Sequence, residues 1–469
     1  MLQRSVVVCL LVWACMGGPQ LAAQPQTQNA HSDPTAAGDE AQMFQQAQDA
    51  MQRGEFDTAR RLLVRLHARL PENFEVNELL GLAYASQNNL TRALPPLQAA
   101  ASEQPNSDIA RANLGATLLK LHRGAEAAHE LQAAVRLNPS DAISQENLGQ
   151  AEMLIHRPAE AARAFGAALS RDPGNGDLAY NDALALFDSG DYAHARETLS
   201  RMSGVDLSAS AQSLYGDVDE KLARYKQAAQ HDLNAARLDP SESNIYVLGV
   251  ELLRHWTFVP AIRELSAGVK RYPDSRRMQL GLAIAYYGNG SYDQAIPILA
   301  DLLAQDPDNL EYADLLGRTC TVLTAGKNPG CATLLPFAEK HPHNAALATY
   351  AVTSILHRPS SPQELQIAHT LLQNAIAAAP RLAEAHMEMG ELLQTEGKWA
   401  ESVAPLETAV RLKPDLAQAH YRLARAYAHL GQHERAEQQI ALDQKYRKTQ
   451  QQTLNARMQT ITTLVVKMQ

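Results

Sequence analysis

The chain has 469 residues, a formal net charge of -9 and 5% aromatic residues. The acidic balance argues against nucleic acid as a partner, because binding phosphates requires a basic face. Ala, Leu, Gln and Glu are abundant, which favours helix because Ala and straight-chain residues lose little entropy there.

The N-terminus has the features of an export signal. Arg4 precedes the short apolar run 5–16, and small residues follow at Ala22 and Ala23. The run is short for a membrane span, so we expect a signal peptide over 1–23, cleaved after Ala23, and a periplasmic or secreted protein. Two alternatives remain: a membrane-anchored lipoprotein lipidated at Cys15, and an uncleaved anchor.

Residues 24–39 are polar and contain two prolines but no apolar periodicity. We expect them to form a flexible linker. Removal of the signal would leave two of the four cysteines, Cys320 and Cys331. In an exported protein this pair is a candidate disulfide, and the alternative is two free, buried thiols.

A period of about 34 residues organises the rest of the chain. When the segment before Pro105 is shifted by 34 residues, it has the same residue types at several positions as the segment after Pro105. Leu80 then aligns with Leu114, and Gly81 with Gly115. Prolines mark the period, and each is expected to end a helix. They are Pro71, Pro105, Pro139, Pro173, Pro240, Pro273, Pro307, Pro342, Pro380 and Pro414.

Each unit contains two amphipathic stretches separated by a break, which predicts a helix–turn–helix. Many of the breaks contain glycine: Gly54, Gly124, Gly190, Gly290, Gly397 and Gly431. One row of small residues recurs in the first helix, and another opens the second helix. Because glycine inside a helix costs about 1 kcal/mol relative to alanine, these rows indicate that the two helices approach closely.

This pattern resembles the tetratricopeptide repeat (TPR), whose signature is a large residue, Leu-Gly, an aromatic, Ala, an aromatic or Leu, Ala and Pro. The resemblance covers residues from about 40 to 450 in about twelve units. It implies an all-α, right-handed superhelical solenoid over 40–433, irregular at 310–380, in a bacterial-type exported TPR protein. The opening Trp of the signature is replaced in the first units, where Met43, Asn77, Arg111 and Gln145 stand.

Residues 434–469 are expected to form one long capping helix. A seam of apolar residues follows it, which can cover the end of the solenoid or pair with another helix in self-association. The seam consists of Leu454, Met458, Ile461, Val465 and Met468.

No catalytic signature accompanies the repeats: P-loop, HExxH, GxSxG and CxxC motifs are all missing from the sequence. His341 and His343 lie at a repeat boundary without further ligands at metal-site spacing. We therefore expect a non-enzymatic scaffold without a metal, a cofactor or a small-molecule substrate, whose concave groove binds a protein or extended peptide.

In the resembled fold the first helices line that groove. Asn113, Asn147 and Asn181 stand at one repeat position in three consecutive units, and amides both donate and accept hydrogen bonds. The row resembles the asparagine ladder of O-linked N-acetylglucosamine transferases, and the alternative is that asparagine is incidental there. Tyr and Arg often carry binding energy at interfaces, which adds four candidates: Tyr180, Tyr246, Arg318 and Arg425.

Overall fold

The computed structural model describes residues 34–202, 207–322 and 328–465, with the backbone alone for 34–37 and 454–465. These residues form 24 α-helices and one 3-10 helix and no strand, which confirms the prediction of an all-α helical solenoid. Its right-handed superhelical course stays a prediction. None of the helices within the described ranges has the length and apolarity needed to cross a membrane.

The chain divides into two compact units, with the boundary in the sequence between Ala223 and Arg224. The helices of unit 1 are α1 (Pro34–Gln52), α2 (Phe56–His67), α3 (Phe74–Ser86), α4 (Leu90–Glu103), α5 (Asp108–Lys120), α6 (Gly124–Leu137), α7 (Ala142–Leu154), α8 (Pro158–Leu169), α9 (Gly176–Ser189), α10 (Tyr192–Arg201) and α11 (Ala209–Lys221).

The helices of unit 2 are α12 (Tyr225–Leu238), α13 (Glu242–Arg254), α14 (Phe258–Arg271), α15 (Arg276–Gly288), α16 (Tyr292–Gln305), α17 (Leu310–Val322), the 3-10 helix Pro329–Thr333, α18 (Leu334–Lys340), α19 (Ala345–Leu356), α20 (Pro362–Ala378), α21 (Ala383–Thr395), α22 (Trp399–Leu412), α23 (Ala417–His429) and α24 (His433–Val465). Odd-numbered helices up to α17 are the first helices of successive repeats. After the short α18, the first helices are α19, α21 and α23.

In five repeats the glycine of the first helix lies against a large side chain of the second helix. A Cβ added to Gly115 would lie 2.6 Å from Cγ of Leu131, which is fully buried. The helices therefore approach so closely that only a hydrogen fits between them. The same contact recurs in both units, between Gly81 and Leu97, Gly149 and Phe165, Gly249 and Leu265, and Gly390 and Leu406.

The second row of small residues packs at the start of the second helices, and almost all of its members have no exposed surface. They are Ala59, Ala93, Ala127, Ala161, Ala195, Ala228, Ala261, Ala295, Ala368 and Ser402, each 0% exposed, with Ala436 at 8%. The second row therefore belongs to the packed interior of the hairpins that carry it.

Ten of the hairpin turns contain one residue in the left-handed region. Glycine supplies it in five turns, at Gly54, Gly190, Gly290, Gly397 and Gly431. In five others a larger residue takes that conformation: Asn88, His122, His156, Ala223 and Trp256. A left-handed conformation costs an L-residue roughly 1–2 kcal/mol, so these five turns are strained.

The sequence places Gly124 in the break between the two helices of its repeat, but the structure makes it the first residue of α6. The left-handed residue of that turn is His122, with φ 58°. Gly124 instead opens α6, where an added Cβ would lie 2.8 Å from Cγ2 of Ile155. Glycine is needed there for a close contact with the next repeat.

In several repeats a polar side chain occupies the position of the missing opening Trp, and six of these side chains make the same contact. Asn77 Nδ2 donates to the carbonyl of Pro71 at 2.8 Å, and Gln145 Nε2 donates to that of Pro139 at 2.7 Å. The same bond joins Arg111 to Pro105, Gln279 to Pro273, His386 to Pro380 and His420 to Pro414. Each bond satisfies a carbonyl of the connection that has no helical donor.

The ninth repeat is irregular, within the predicted range 310–380. Its second helix is replaced by the five-residue 3-10 helix and the seven-residue α18, whereas α16 has 14 residues. The structure joins Cys320 of α17 to Cys331 of the 3-10 helix in a disulfide with a Cα–Cα distance of 5.9 Å. Ser354 Oγ in α19 donates to the Cys331 carbonyl at 3.1 Å, which attaches the 3-10 helix to the following repeat.

The first helix starts inside the predicted linker. The α1 helix begins at Pro34, within 24–39, because proline is favoured in the first turn of a helix and helix-forming residues follow it. The predicted signal peptide, with Cys15 and Ala23, and linker residues 24–33 lie outside the described residues.

The predicted boundary after residue 433 divides a hairpin. Helix α24 starts at His433 and packs on α23 as the second helix of the last repeat, with His420 Nδ1 2.6 Å from Gln439 Oε1. Gln450 Nε2 also donates to the Asp415 carbonyl at 3.2 Å. The side chains of the predicted seam, from Leu454 to Met468, lie outside the described residues.

The close contact at Gly115 predicts that alanine, normally the better helix former, destabilises unit 1 at this position. Gly115→Ala should lower the free energy of unfolding by about 1–2 kcal/mol, because overpacking against Leu131 outweighs the gain in helix propensity. Gly166→Ala in α8 is the matched control, since its added Cβ meets only Asp182 Oδ1, at 3.5 Å. Urea unfolding of both variants checks this prediction, and a Gly115→Ala variant as stable as Gly166→Ala would contradict it.

The Cys320–Cys331 bond predicts a response to reductant. The bridged cysteines are 11 residues apart, and closing such a loop stabilises by about 3 kcal/mol in the chain-entropy description. The unfolded, non-reduced mature protein should show no free thiol, and reductant should lower its melting temperature. The double variant Cys320→Ser/Cys331→Ser should not respond to reductant. Two titratable thiols in the mature protein would rule the bond out.

Candidate functional site

The seven side chains predicted to bind peptide all lie on first helices. Unit 1 carries four of them, on α5, α7 and α9: Asn113, Asn147, Tyr180 and Asn181. Unit 2 carries three, on α13, α17 and α23: Tyr246, Arg318 and Arg425. The first helices are therefore the elements that position the candidate site, as the repeat pattern predicts.

The three asparagines do not have equal access to a partner. Asn113 is half-buried, and its Nδ2 donates to Glu78 Oε1 of α3 at 3.1 Å. Burial raises the pKa of Glu78, and the bond from Asn113 opposes that rise. Asn147 is half-buried. Asn181 is only 3% exposed, and its Nδ2 finds no hydrogen-bond partner among the described residues.

Unit 1 therefore presents two accessible amides rather than three. The carbonyl and amide of Asn147 can serve a peptide directly, whereas Asn113 must exchange its bond to Glu78. Tyr180, beside Asn181, is 9% exposed and belongs to the core. The asparagine of α9 is less accessible than that of α7, because α9 is buried over most of its length.

In unit 2 the same repeat position is occupied by an ion pair, which the sequence analysis missed. Arg422 Nη1 of α23 lies 3.0 Å from Glu388 Oε1 of α21, and Arg422 Nε lies 2.9 Å from Glu391 Oε2. Both Glu388 and Arg422 are at least 90% buried. Removing one partner of such a buried pair typically costs about 3–5 kcal/mol, so the pair fixes α21 against α23.

Arg425 lies at the edge of this ion pair and keeps an exposed guanidinium. Its Nη1 is 3.5 Å from Glu391 Oε1, and its side chain is 41% exposed. The guanidinium also lies 5.7 Å from the centre of the Trp399 ring, which itself stacks on His429 at 4.2 Å. Arg425 is thus held in place while its charge stays accessible to a carboxylate.

The other two candidates of unit 2 are also held by neighbours. Arg318 is 59% exposed and pairs with Asp314 at 2.8 Å; the Asp314 charge raises the pKa of Arg318. Tyr246 is half-buried beneath the guanidinium of Arg277, 4.9 Å from the ring centre. Of the two, only Arg318 carries a charge, and its side chain is the more exposed.

A buried aspartate in unit 1 was also missed. Asp182 of α9 stands where other repeats carry the core leucine that precedes the small residue, as at Leu114 and Leu148. It is 5% exposed and accepts a hydrogen bond from Thr198 Oγ1 at 2.9 Å. Burial raises the pKa of Asp182 to about 6. A charged residue at an apolar position was the signal that could have revealed it.

Two neighbouring repeats of unit 1 also hold a buried carboxylate, but at a different repeat position, three residues after the small residue. Glu152 of α7 is 1% exposed and accepts from Gln132 Nε2 at 2.8 Å. Asp219 of α11 is fully buried and accepts from Arg196 Nε at 2.8 Å. Three consecutive repeats of unit 1 therefore hold a carboxylate in the interior, where leucine or tyrosine normally packs.

The raised pKa of Asp182 predicts that unit 1 loses stability as the pH rises. Its folded pKa, about 6, lies above the unfolded value of 3.8. The folded state therefore binds the additional proton between these values, and the free energy of unfolding falls as the pH rises through about 6. From about pH 5 to about pH 7.5 we expect a loss of roughly 1.4 kcal/mol from this group.

The matched variants for urea unfolding at the two pH values are Asp182→Asn and Asp177→Asn. Asp177 lies on the same helix but is exposed. Asp182→Asn should remove most of the loss, and Asp177→Asn should retain it. An unchanged pH dependence in Asp182→Asn would show that Asp182 is ionised normally in the folded protein.

Comparisons with known proteins agree with this architecture. Family models described as tetratricopeptide repeat match residues 44–108, 113–176 and 387–445, and residues 156–218 and 258–319. A comparison with curated proteins gives no match.

Three solved structures illustrate the level of structural likeness. That of Naa15/Naa10 bound to HypK is 15% identical, with a TM-score of 0.40, over 86% of this chain and 68% of that one. PilF of Pseudomonas aeruginosa is 20% identical, with a TM-score of 0.36, over 45% and 96%. MamA of Desulfovibrio magneticus RS-1 is 24% identical, with a TM-score of 0.33, over 35% and 93%. Likeness at this level says nothing about function.

The family models are the stronger finding, because together they cover more than half of the residues and include hairpins of both units. They agree with the period read from the prolines and with the close glycine contacts. The chain belongs to the tetratricopeptide-repeat family.

Proposed function

We propose that this protein is an exported, non-enzymatic scaffold that binds a protein partner or an extended peptide along the first helices of its repeats. Tetratricopeptide repeats generally mediate protein–protein interaction, and scaffolds of this fold are typically non-catalytic. The observation that carries the proposal is that the described helices follow the repeat from α1 to α24. The surface offered to a partner is therefore that of stacked hairpins.

The accessible polar groups on the first helices suit a peptide. In unit 1, the amide of Asn147 can hydrogen-bond a peptide backbone without regard to the peptide's sequence. Asn113 can do the same once it releases its bond to Glu78. In unit 2, Arg318 and Arg425 each keep an exposed guanidinium that is already oriented by a carboxylate. A bidentate bond to a carboxylate is the interaction that this geometry favours.

Export to the periplasm or beyond the cell remains part of this proposal. It is supported by the signal-like sequence 1–23 and by the Cys320–Cys331 bond, because disulfides persist in oxidising compartments. Cleavage after Ala23 would release a soluble protein, whereas lipidation of Cys15 would leave the scaffold on a membrane.

The length of α24 favours a second candidate function, self-assembly. Helix α24 has 33 residues and α23 has 13, which correspond to about 50 Å and about 20 Å. Gln450 of α24 donates to the carbonyl of Asp415, just before α23. The remaining part of α24 carries the predicted seam and is long enough to pair with a second copy.

Site-specific photo-crosslinking in the native host distinguishes these functions. The photoreactive residue p-benzoylphenylalanine is placed on first helices at Asn147 and Arg318, on second helices at Arg92 and Arg411, and on α24 at Gln452. For the scaffold we expect adducts with another protein from Asn147 and Arg318, few from Arg92 and Arg411, and an N-terminus at Gln24.

Each outcome has a distinct meaning. Adducts formed equally well from first and second helices would overturn the proposed first-helix surface. A homodimer adduct from Gln452 alone would favour self-assembly. An N-terminal lipidated Cys15 would replace the soluble form with the membrane-anchored one, and an intact N-terminus at Met1 in the cytoplasm would overturn export.

A further inference from the structure

Three clefts occur at the same position of different repeats. Each lies between two successive second helices and above the first helix that separates them. In unit 1 they lie between α4 and α6, with a volume of about 820 Å³, and between α8 and α10, with about 440 Å³. In unit 2 the cleft between α12 and α14 has about 740 Å³. Their common geometry allows their linings to be compared position by position.

The charge of the lining is reversed in unit 2. The α4–α6 cleft has one basic residue, Arg111, and two acidic ones. The α8–α10 cleft has two basic and three acidic residues. The α12–α14 cleft has four basic residues and one acidic residue, Glu264. The basic residues of that cleft are Arg237, Arg263, Lys270 and Arg271. A basic cleft in a protein of net charge -9 is selective for anionic partners.

The repeat register shows how the reversal arises. Arg263, two residues after the small Ala261, occupies the position of His129 in α6 and Glu197 in α10. Arg263, Ala267 and Arg271 are spaced by four residues, so they share one face of α14. The basic groups thus form a row along the cleft.

The α12–α14 cleft also lacks the ion pair that crosses its counterpart in unit 1. There, Arg111 Nη1 of the first helix bonds Glu130 Oε2 at 2.6 Å. The position of Arg111 is taken in unit 2 by Ile245, and Glu264 pairs with its own neighbour Arg263 at 2.9 Å. The floor of the cleft is therefore apolar and not bridged by a charge.

Three cations remain available to a ligand. Arg237 and Lys270 are exposed and have no partner among the described side chains. Arg271 is exposed and lies over the Tyr272 ring at 5.9 Å. Between them the floor consists of Leu233, Ala236, Ile245 and Ala267.

We propose that the α12–α14 cleft binds an acidic peptide segment that also carries apolar side chains, supplied by a partner protein. Carboxylates of the segment pair with Arg237, Lys270 and Arg271, since charge-assisted hydrogen bonds are the strongest polar contacts available at a surface. Leucine or valine side chains of the segment cover the apolar floor, a contact that a bare phosphate does not use. This surface is formed largely by second helices, so the proposal does not depend on the first-helix scaffold surface.

Fluorescence anisotropy of a labelled short peptide of Glu, Leu and Ala tests this site on the purified mature chain. A second peptide, with Gln in place of every Glu, measures the contribution of charge. Vesicles of phosphatidylglycerol serve as the competing anionic surface. We expect binding of the acidic peptide that weakens with salt, and little binding of the Gln peptide.

The variant Arg237→Gln/Lys270→Gln/Arg271→Gln should bind the acidic peptide about tenfold more weakly. The control Arg65→Gln/Arg92→Gln/Arg136→Gln removes three exposed cations of unit 1 and should bind like the unmodified protein. If the first variant melts at a lower temperature, Lys270→Gln alone gives the comparison.

Three results would overturn the proposal. They are equal loss of binding in the two triple variants, equal affinity for the acidic and Gln peptides, and binding through the three cations to vesicles but not to the acidic peptide. None of them bears on the crosslinks from Asn147 and Arg318, so the two proposals fail separately.

Discussion

The contact that the whole structure depends on is that between a glycine or alanine of the first helix and a large side chain of the second. At Gly115 the space for a methyl group is already occupied by Leu131. This contact sets the distance between the two helices of a hairpin, and its repetition allows hairpins to stack at a constant spacing. The prolines between repeats and the polar residues that bind their carbonyls then direct each chain segment into the next hairpin.

The sequence predicted these features because each depends on a local, repeated choice of residue. The period, the helix ends at prolines and the two small rows all follow from residue size and backbone chemistry. The role of Asn77 and Gln145 was not predictable, since it depends on where the preceding proline carbonyl points in three dimensions. The placement of Gly124 in the break has the same origin: a glycine needed for contact with another repeat looks the same in sequence as one needed for a turn.

The candidate site was predicted less completely than the fold. Repeat register placed the asparagines and arginines on first helices, but register does not give burial or pairing, and these distinguish Asn147 from Asn181. It also did not reveal the Glu388–Arg422 pair, because its members lie on different helices, α21 and α23. The α12–α14 cleft illustrates how a solenoid diversifies: the small rows maintain the hairpin, while lining positions such as Arg263 change charge without disturbing the interior.

The strained turns and the buried carboxylates of unit 1 occur in the same part of the chain. The left-handed turn of His156 connects the helix of Glu152 to α8, and Asp182 and Asp219 follow in the next two repeats. In a repeat protein each repeat contacts only its neighbours, and the total stability is approximately a sum over repeats and their interfaces. A buried carboxylate or strained turn therefore destabilises mainly its own repeat. The middle repeats of unit 1 are therefore the part of that unit from which amide protons should exchange first.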